Sequence, residues 1–182
     1  YGDLRDLGSM RSALNGCDIL YHIAAYYSLW DRDQQLICEI NVEGTQNILQ
    51  AAKERDLKKI VYTSTVGCIG LNEDTTTATE NTYFNQTTLS NDYKKSKYQA
   101  EQVALEFAQN GLPVVIVNPS TPIGPRDIKP TPTGKIILDF LNREMPAYLD
   151  TGLNLIDVKD CARGHILAEQ KGVPGERYIL GN

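Results

Sequence analysis

The chain alternates between short, continuously apolar runs and longer stretches whose apolar positions recur every three or four residues. The runs are "CDILYHIAA" at 17–25, "KKIVYTST" at 58–65, "LPVVIVNP" at 112–119 and "ERYILGN" at 176–182. Strands that are apolar on consecutive positions bury both faces, as in a parallel sheet covered on two sides. The periodic stretches are helical. One runs from about 32 to 54 through Leu36, Ile37, Ile40, Gly44, Ile48, Leu49 and Ala52; a second spans about 91–109 and carries Tyr93, Lys97, Ala100, Val103, Ala104 and Phe107. Ser90 or Asn91 caps the second, and Asn110-Gly111 ends it. A third, "VKDCARGHILAEQ", covers 158–170, with Gly172 near its end. Strand–helix alternation with short links predicts an α/β layered fold with right-handed crossovers.

Two segments break the alternation. Residues 71–90 are rich in Thr and Asn, and residues 119–134, "PSTPIGPRDIKPTPTG", are rich in Pro. Each follows the C-terminal end of a predicted strand, where ligands bind in open α/β sheets. Long irregular loops of this kind serve as lids or binding loops.

Composition narrows the classes. A length of 182 residues with 41% apolar and 23% charged residues suits one domain with a full core. A net charge of -5 argues against a nucleic-acid partner, whose binding surfaces are basic. No apolar run is long enough for a membrane span, and the first residues, "YGDLRDLGSM", have no signal-peptide pattern. Cys17, Cys38, Cys68 and Cys161 are scattered, and His22 and His165 are the two histidines. That spacing predicts neither a metal site nor a disulfide framework, and it reads as a reduced, cytoplasmic protein. Asn85-Gln86-Thr87 matches a glycosylation acceptor by chance on this reading.

The chemistry concentrates around "NDYKKSKYQAE" at 91–101. Tyr93 and Lys97 lie four apart and so share a helix face. A free phenol titrates near pH ~10 and is a poor base at neutral pH; a neighbouring ammonium favours its phenolate. The pair alone is a weak signal. Upstream, "IVYTSTVGCIG" places the hydroxyls of Thr63, Ser64 and Thr65 at the end of a strand. Strand-end hydroxyls, a polar loop and a YxxxK helix together are far more specific than any one part.

This constellation resembles the extended short-chain dehydrogenases/reductases, the NAD(P)-dependent epimerase/dehydratase group. The likeness extends over "YGDLRD", "YHIAA", "NVEGTQNILQAA", "YTSTVGCIG", "YKKSK", "NPSTPIGPRD" and "LIDVKDCARGHILA". Within the group, the stretch from 117 to 155 is similar to hopanoid-associated sugar epimerases and dihydroflavonol 4-reductase-like proteins. The resemblance implies a three-layer Rossmann-like parallel sheet. It implies a partial NAD(P)-binding domain over 1–182, with roughly 119–160 belonging to the substrate region. The family's G-x-x-G-x-x-G turn does not occur in the sequence. The chain is therefore expected to be an internal fragment that lacks the N-terminal strands.

The resemblance also implies roles. Tyr93, Lys97 and Thr65 would be catalytic, with Lys97 lowering the Tyr93 pKa. NAD or NADP would lie against Asp3, Leu4, His22, Ala24, Ala25, Thr63, Ser64, Tyr93, Lys97, Asn118 and Pro119. The substrate would meet Tyr26, Thr65, Thr121 and Arg126. It is expected to be a small molecule, either a nucleotide sugar undergoing epimerisation or, nearly as well supported, a ketone or aldehyde undergoing reduction. A homodimer through the YxxxK helix is a further expectation, and a non-catalytic dinucleotide-binding module is the reading from another class. Arg126 reads equally as an anion clamp or a surface arginine, and Asp160 as a family element or a helix-dipole partner. Trp30 and His165 read as packing residues, and His22, taken alone, reads as a core histidine.

Overall fold

The computed structural model describes residues 2–27, 33–72, 76–82, 84–85, 91–147 and 150–182. Trp30, Ser90 and the last two residues of the glycosylation acceptor lie outside them. Four parallel strands, β1 (Ile19–His22), β2 (Lys59–Thr63), β3 (Val114–Pro119) and β6 (Arg177–Leu180), form one sheet in the order β1-β2-β3-β6. Their register pairs Leu20 with Ile60, Val61 with Val115 and Val117 with Tyr178. A short second ladder joins β4 (Thr121–Ile123) to β5 (Leu155–Asp157).

Helices α1 (Leu7–Ala13), α3 (Gly44–Glu54) and α4 (Asp92–Gln109) cover one face of the sheet. There Leu49, Ala52, Ala100 and Ala104 pack on Leu20, Ile60, Tyr62, Val114 and Ile116. Helix α6 (Val158–Lys171) covers the other face, with Ala168 against Val61, Val115 and Val117. Val114 to Val117 are all fully buried because both faces of β3 are covered. Each such side chain contributes about 1.5–3 kcal/mol. The result is the three-layer α/β arrangement that the strand pattern predicts.

Helix α2 (Gln34–Cys38) runs into α3 through a π turn at Glu39–Glu43. The wide turn brings Asn41 into the interior, and such insertions recur at functional positions. Just after it, Gly44 lies so close to Leu4 that a side chain there would collide with it. Asn91 caps α4 by accepting from the Lys94 N–H, and Gly111 takes the left-handed conformation (φ 91°) that ends it.

Two elements fall where the sequence predicts irregular chain or nothing at all. Helix α1 is short and is capped by Asp6. Helix α5 (Pro132–Leu141) is capped by Thr131, with Pro132 in its first turn. Proline suits that position because the first helical N–H has no partner to lose.

Candidate active site

The sheet delivers its chemistry at the C-terminal ends of β2 and β3, where α4 crosses them. Tyr93 stands in the first turn of α4 beside Tyr27, ring edge to ring face with centroids 4.6 Å apart. Both line a cavity of about 1040 Å³. Ser120, Thr121, Pro122, Ile123 and Arg126 also line it, together with Ile137 and Leu138 of α5. Most of these walls are apolar. Arg126 makes no ion pair among the described residues, and its backbone adopts φ 76°, a conformation rare for a side chain of this size.

One turn along the helix, Lys97 is 4% exposed. Its ammonium donates to the Thr63 carbonyl at 2.8 Å and to the Tyr62 hydroxyl at 3.4 Å, and it lies 5.0 Å from the Tyr62 ring centre. Burial lowers its pKa to about 8, against the opposing pull of Cys68 and Glu101. Lys97 is thus largely charged at neutral pH.

The expectation that Lys97 depresses the Tyr93 pKa is not met. Burial, then the Tyr27 phenol and the Cys68 thiol, push the Tyr93 phenol above its ordinary value. The physical reason is the environment: the phenol is largely desolvated among aromatic neighbours, while the ammonium is directed at Thr63 and Tyr62. Tyr93 is therefore a protonated acid at neutral pH.

The three hydroxyls after β2 separate because of the strand pleat. Thr63 points to the α6 face, where its hydroxyl meets His165 Nε2 at 2.9 Å. His165 Nδ1 lies 2.8 Å from the Cys161 carbonyl, which can only accept, so Nδ1 is the donor there. Thr63 therefore does not bring its hydroxyl into the cleft; it offers its carbonyl to Lys97. Ser64 is buried on the opposite side. Thr65 caps a 3-10 turn at Val66–Cys68, where its Oγ1 accepts the Gly67 N–H at 3.2 Å. That bond uses a lone pair of Oγ1 and does not engage the hydroxyl proton.

His22 is buried and bonded to Thr45 Oγ1 at 3.0 Å. Thr45 donates its own proton to the Asn41 carbonyl at 2.6 Å, so His22 Nε2 is the donor to Thr45. Burial first, then the Lys97 charge, lowers the His22 pKa to about 3. The ring is a buried, hydrogen-bonded partner of Thr45. Tyr26 likewise turns from the cavity. Its N–H donates to Asn41 Oδ1 at 2.7 Å and its hydroxyl to Asp33 at 3.3 Å; Tyr27 lines the cavity in its place.

Asn41 extends the network, donating to the Tyr26 carbonyl at 2.9 Å and to Ser96 Oγ at 3.0 Å. Ser96 in turn donates to the Tyr93 carbonyl at 2.8 Å. The remaining sequence-named residues are spread over the start of the chain and the ends of β1 and β3. Asp3 is held by Arg5, which keeps its carboxyl at about 2, and Leu4 accepts from Asn47. Ala24 and Ala25 follow β1 and are exposed; Asn118 and Pro119 close β3 and are buried.

Two buried atoms beside the cleft, Asn118 Oδ1 and Ser120 Oγ, have no hydrogen-bond partner among the described residues. Ser64 Oγ also lacks an oxygen or nitrogen partner there. Buried polar atoms left this way call for a ligand or water. They fit a group that brings both donors and acceptors to the strand ends, as a nicotinamide does. Asn41 and Tyr62 open two of the stretches that carry the resemblance but receive no role from it, and Tyr27 and Glu101 lie outside those stretches. Glu101 alone leaves a signal, as a charge one turn beyond Lys97 on the buried face of α4.

The sequence matches the family described as "NAD dependent epimerase/dehydratase family" over residues 1–181. It is 54% identical over 185 residues to the Synechocystis sp. protein named "Putative dihydroflavonol 4-reductase", covering 100% of this chain and 54% of that one. It is 36% identical over 180 residues to sterol demethylase protein B of Methylococcus capsulatus, covering 99% and 55%. The crystal structure of gox2253 superposes with a TM-score of 0.93 at 49% identity, over 100% of this chain and 55% of that one. The chain thus spans about half the length of the curated relatives it matches.

Proposed function

We propose that this chain, which belongs to the NAD dependent epimerase/dehydratase family, carries the proton-transfer half of a nicotinamide-dependent reductase. Its substrate would be a ketone or aldehyde carbonyl on an apolar body. The observation behind this reading is a protonated Tyr93 phenol set in a cavity walled by Tyr27, Pro122, Ile123, Ile137 and Leu138. Carbonyl reduction needs an acid at the oxygen, and a phenol held above its ordinary pKa is one.

NADH or NADPH, when bound, supplies the hydride. Asp3, Leu4, His22, Ala24, Ala25, Thr63, Ser64, Tyr93, Lys97, Asn118 and Pro119 are the residues proposed to hold it; the side chains of His22 and Thr63 already bond Thr45 and His165, so these two would offer chiefly their backbone. Tyr93 gives its proton to the carbonyl oxygen as the carbon is reduced. Lys97, whose ammonium bonds the Thr63 carbonyl, supplies a positive charge one helical turn from the phenolate that remains. Thr65 donates its hydroxyl proton to the oxygen as negative charge develops there. Residues 119–160 supply the substrate wall.

The names of two relatives refer to a dihydroflavonol and a sterol, which are apolar ring systems, and this supports the reductase order of preference. Epimerisation of a nucleotide sugar is the second reading. It draws on the family description and on Arg126 at the rim, whose fork suits a phosphate.

The test is calorimetric titration of the full-length protein with NADH and NADPH. Turnover of acetophenone, cinnamaldehyde and UDP-glucose is then followed. Cofactor oxidation with an aryl carbonyl is the expected result. Epimerisation of UDP-glucose without net oxidation transfers the assignment to the second reading. Binding with no turnover leaves the non-catalytic module, and failure to bind either cofactor removes the enzyme reading altogether.

A further inference from the structure

Behind the proton-transfer residues lies a buried charge that the mechanism above does not use. Tyr93, Lys97 and Glu101 follow one another at four-residue steps on the same side of α4. Glu101 is 0% exposed, a rare position for a carboxylate unless it is paired. Its Oε2 accepts Asn118 Nδ2 at 2.8 Å, and its Oε1 accepts Arg177 Nη1 at 3.2 Å. The second proton of Asn118 Nδ2 goes to the Thr65 carbonyl at 3.0 Å. Both partners of that nitrogen are acceptors, so the orientation of the Asn118 amide is fixed by chemistry.

Arg177 reaches further. Its Nη2 donates to the Glu80 carbonyl, and Glu80 Oε1 accepts the Ile179 N–H at 2.9 Å. Glu80 belongs to the long Thr- and Asn-rich loop. That loop also meets α4 directly, where Phe84 stacks on Tyr98 with centroids 4.7 Å apart. A continuous path therefore runs from the loop through Arg177, Glu101 and Asn118 to the backbone of Thr65.

We propose that Glu101 is a positioning residue: through Asn118 it sets where Thr65 stands relative to Tyr93 and Lys97, and through Arg177 it fastens the 76–82 loop to the same frame. Neutral glutamine shows why the charge matters. It fits the space but presents an NH2 group to either Asn118 Nδ2 or Arg177, both donors, so one of the two bonds is lost. A misplacement of about 1 Å in a catalytic group can cost a large factor in rate. The kinetic arm of the proposal rests on the carbonyl-reduction reading; the structural arm does not.

The experiment compares the full-length parent with Glu101→Gln and Arg177→Lys. Amide hydrogen exchange is followed at Gly67 and Cys68, whose N–H groups bond Thr65, and at Ile179. Residues of β2 and β3 serve as the internal reference. Turnover of acetophenone and cinnamaldehyde is measured alongside. In Glu101→Gln, exchange should quicken at Gly67, Cys68 and Ile179 while the β2 and β3 ladder keeps its protection. The kcat should fall about tenfold or more with KM within about twofold. Arg177→Lys should quicken Ile179 most and lower kcat less.

Unchanged exchange at Gly67 and Cys68 in Glu101→Gln overturns the proposal. So does faster exchange with an unchanged kcat, which would make Glu101 a packing element only. If Glu101→Gln does not fold, Arg177→Lys decides, and parental exchange at Ile179 with parental kcat overturns it. If the parent reduces neither carbonyl, the reductase reading fails separately, and the exchange data still accept or reject the placement of Thr65.

Discussion

Helices α4 and α5 border the same cleft in opposite ways. Helix α4 buries Ser96, Lys97 and Glu101 beside Ala100 and Ala104, and each of those three polar side chains has a named partner. Helix α5, "PTGKIILDFL", is far more apolar and buries none of its residues. The side that carries the chemistry is thus fixed by partnered polar groups against the sheet, where two small alanines allow a close approach. The side proposed to face substrate presents apolar surface of which none is buried. Chemistry needs fixed geometry, whereas an apolar wall recognises by contact area and tolerates change.

Removing the acid should break the comparison most deeply. Tyr93→Phe in the full-length protein should lower carbonyl turnover by about 10²–10⁴-fold, with cofactor affinity and thermal midpoint close to the parent. Rate assays, titration and a melting curve check the three parts.

Acid should weaken the α4 side selectively, because His22 lies in the polar layer beneath it. Its pKa is about 3 in the fold against an ordinary 6.5. Below pH 6.5 the unfolded chain takes up a proton that the folded chain refuses, so stability falls as pH drops toward 3. By pH ~5, still well above the folded value, the part of that difference already lost amounts to about 2 kcal/mol. His22→Gln keeps a donor for Thr45 and removes the titration, so its melting temperature should vary less between pH 7 and pH 5 than that of the parent.

Packing contrasts come next. Ala104→Leu on α4 should destabilise by about 1–3 kcal/mol through overpacking. Phe140→Ser on α5, where the ring is 69% exposed, should stay within about 0.5 kcal/mol. Denaturant midpoints of the two variants test this, and equal losses would erase the distinction between the helices. The smallest effect is expected from Ile137→Asn on the cavity wall. It should raise KM for an aryl carbonyl by about 3–10-fold with little change in kcat.

The sequence made the sheet readable because β2 and β3 are buried on both faces, and continuous apolar runs such as Val114–Val117 carry that fact directly. The YxxxK helix was readable for a similar reason, with periodicity and an Asn91 cap coinciding. Helix α5 was hidden by the prolines before it, although Thr131-Pro132 is itself a start signal. The three-residue strands β4 and β5 are too short to leave a pattern. Within the site, motif spacing locates Tyr93, Lys97 and Thr65 but not what they touch. Thr63 looked like a cleft hydroxyl until the pleat turned it to His165. Lys97 looked like a partner for the Tyr93 phenol, yet tertiary contacts give its ammonium to Thr63 and Tyr62. Glu101 and Asn118 meet across 17 positions of sequence, a separation that no local motif encodes.

The central claim is that α4 supplies the proton while a bound nicotinamide supplies the hydride. Reduction of acetophenone by the full-length protein with cofactor deuterated at the transferring carbon tests it most directly, run for the parent and for Tyr93→Phe. The account predicts deuterium at the carbinol carbon of the parent's product, and the same labelled product formed at least about 10²-fold more slowly by the variant. An unlabelled product, or equal rates for the two proteins, would contradict it.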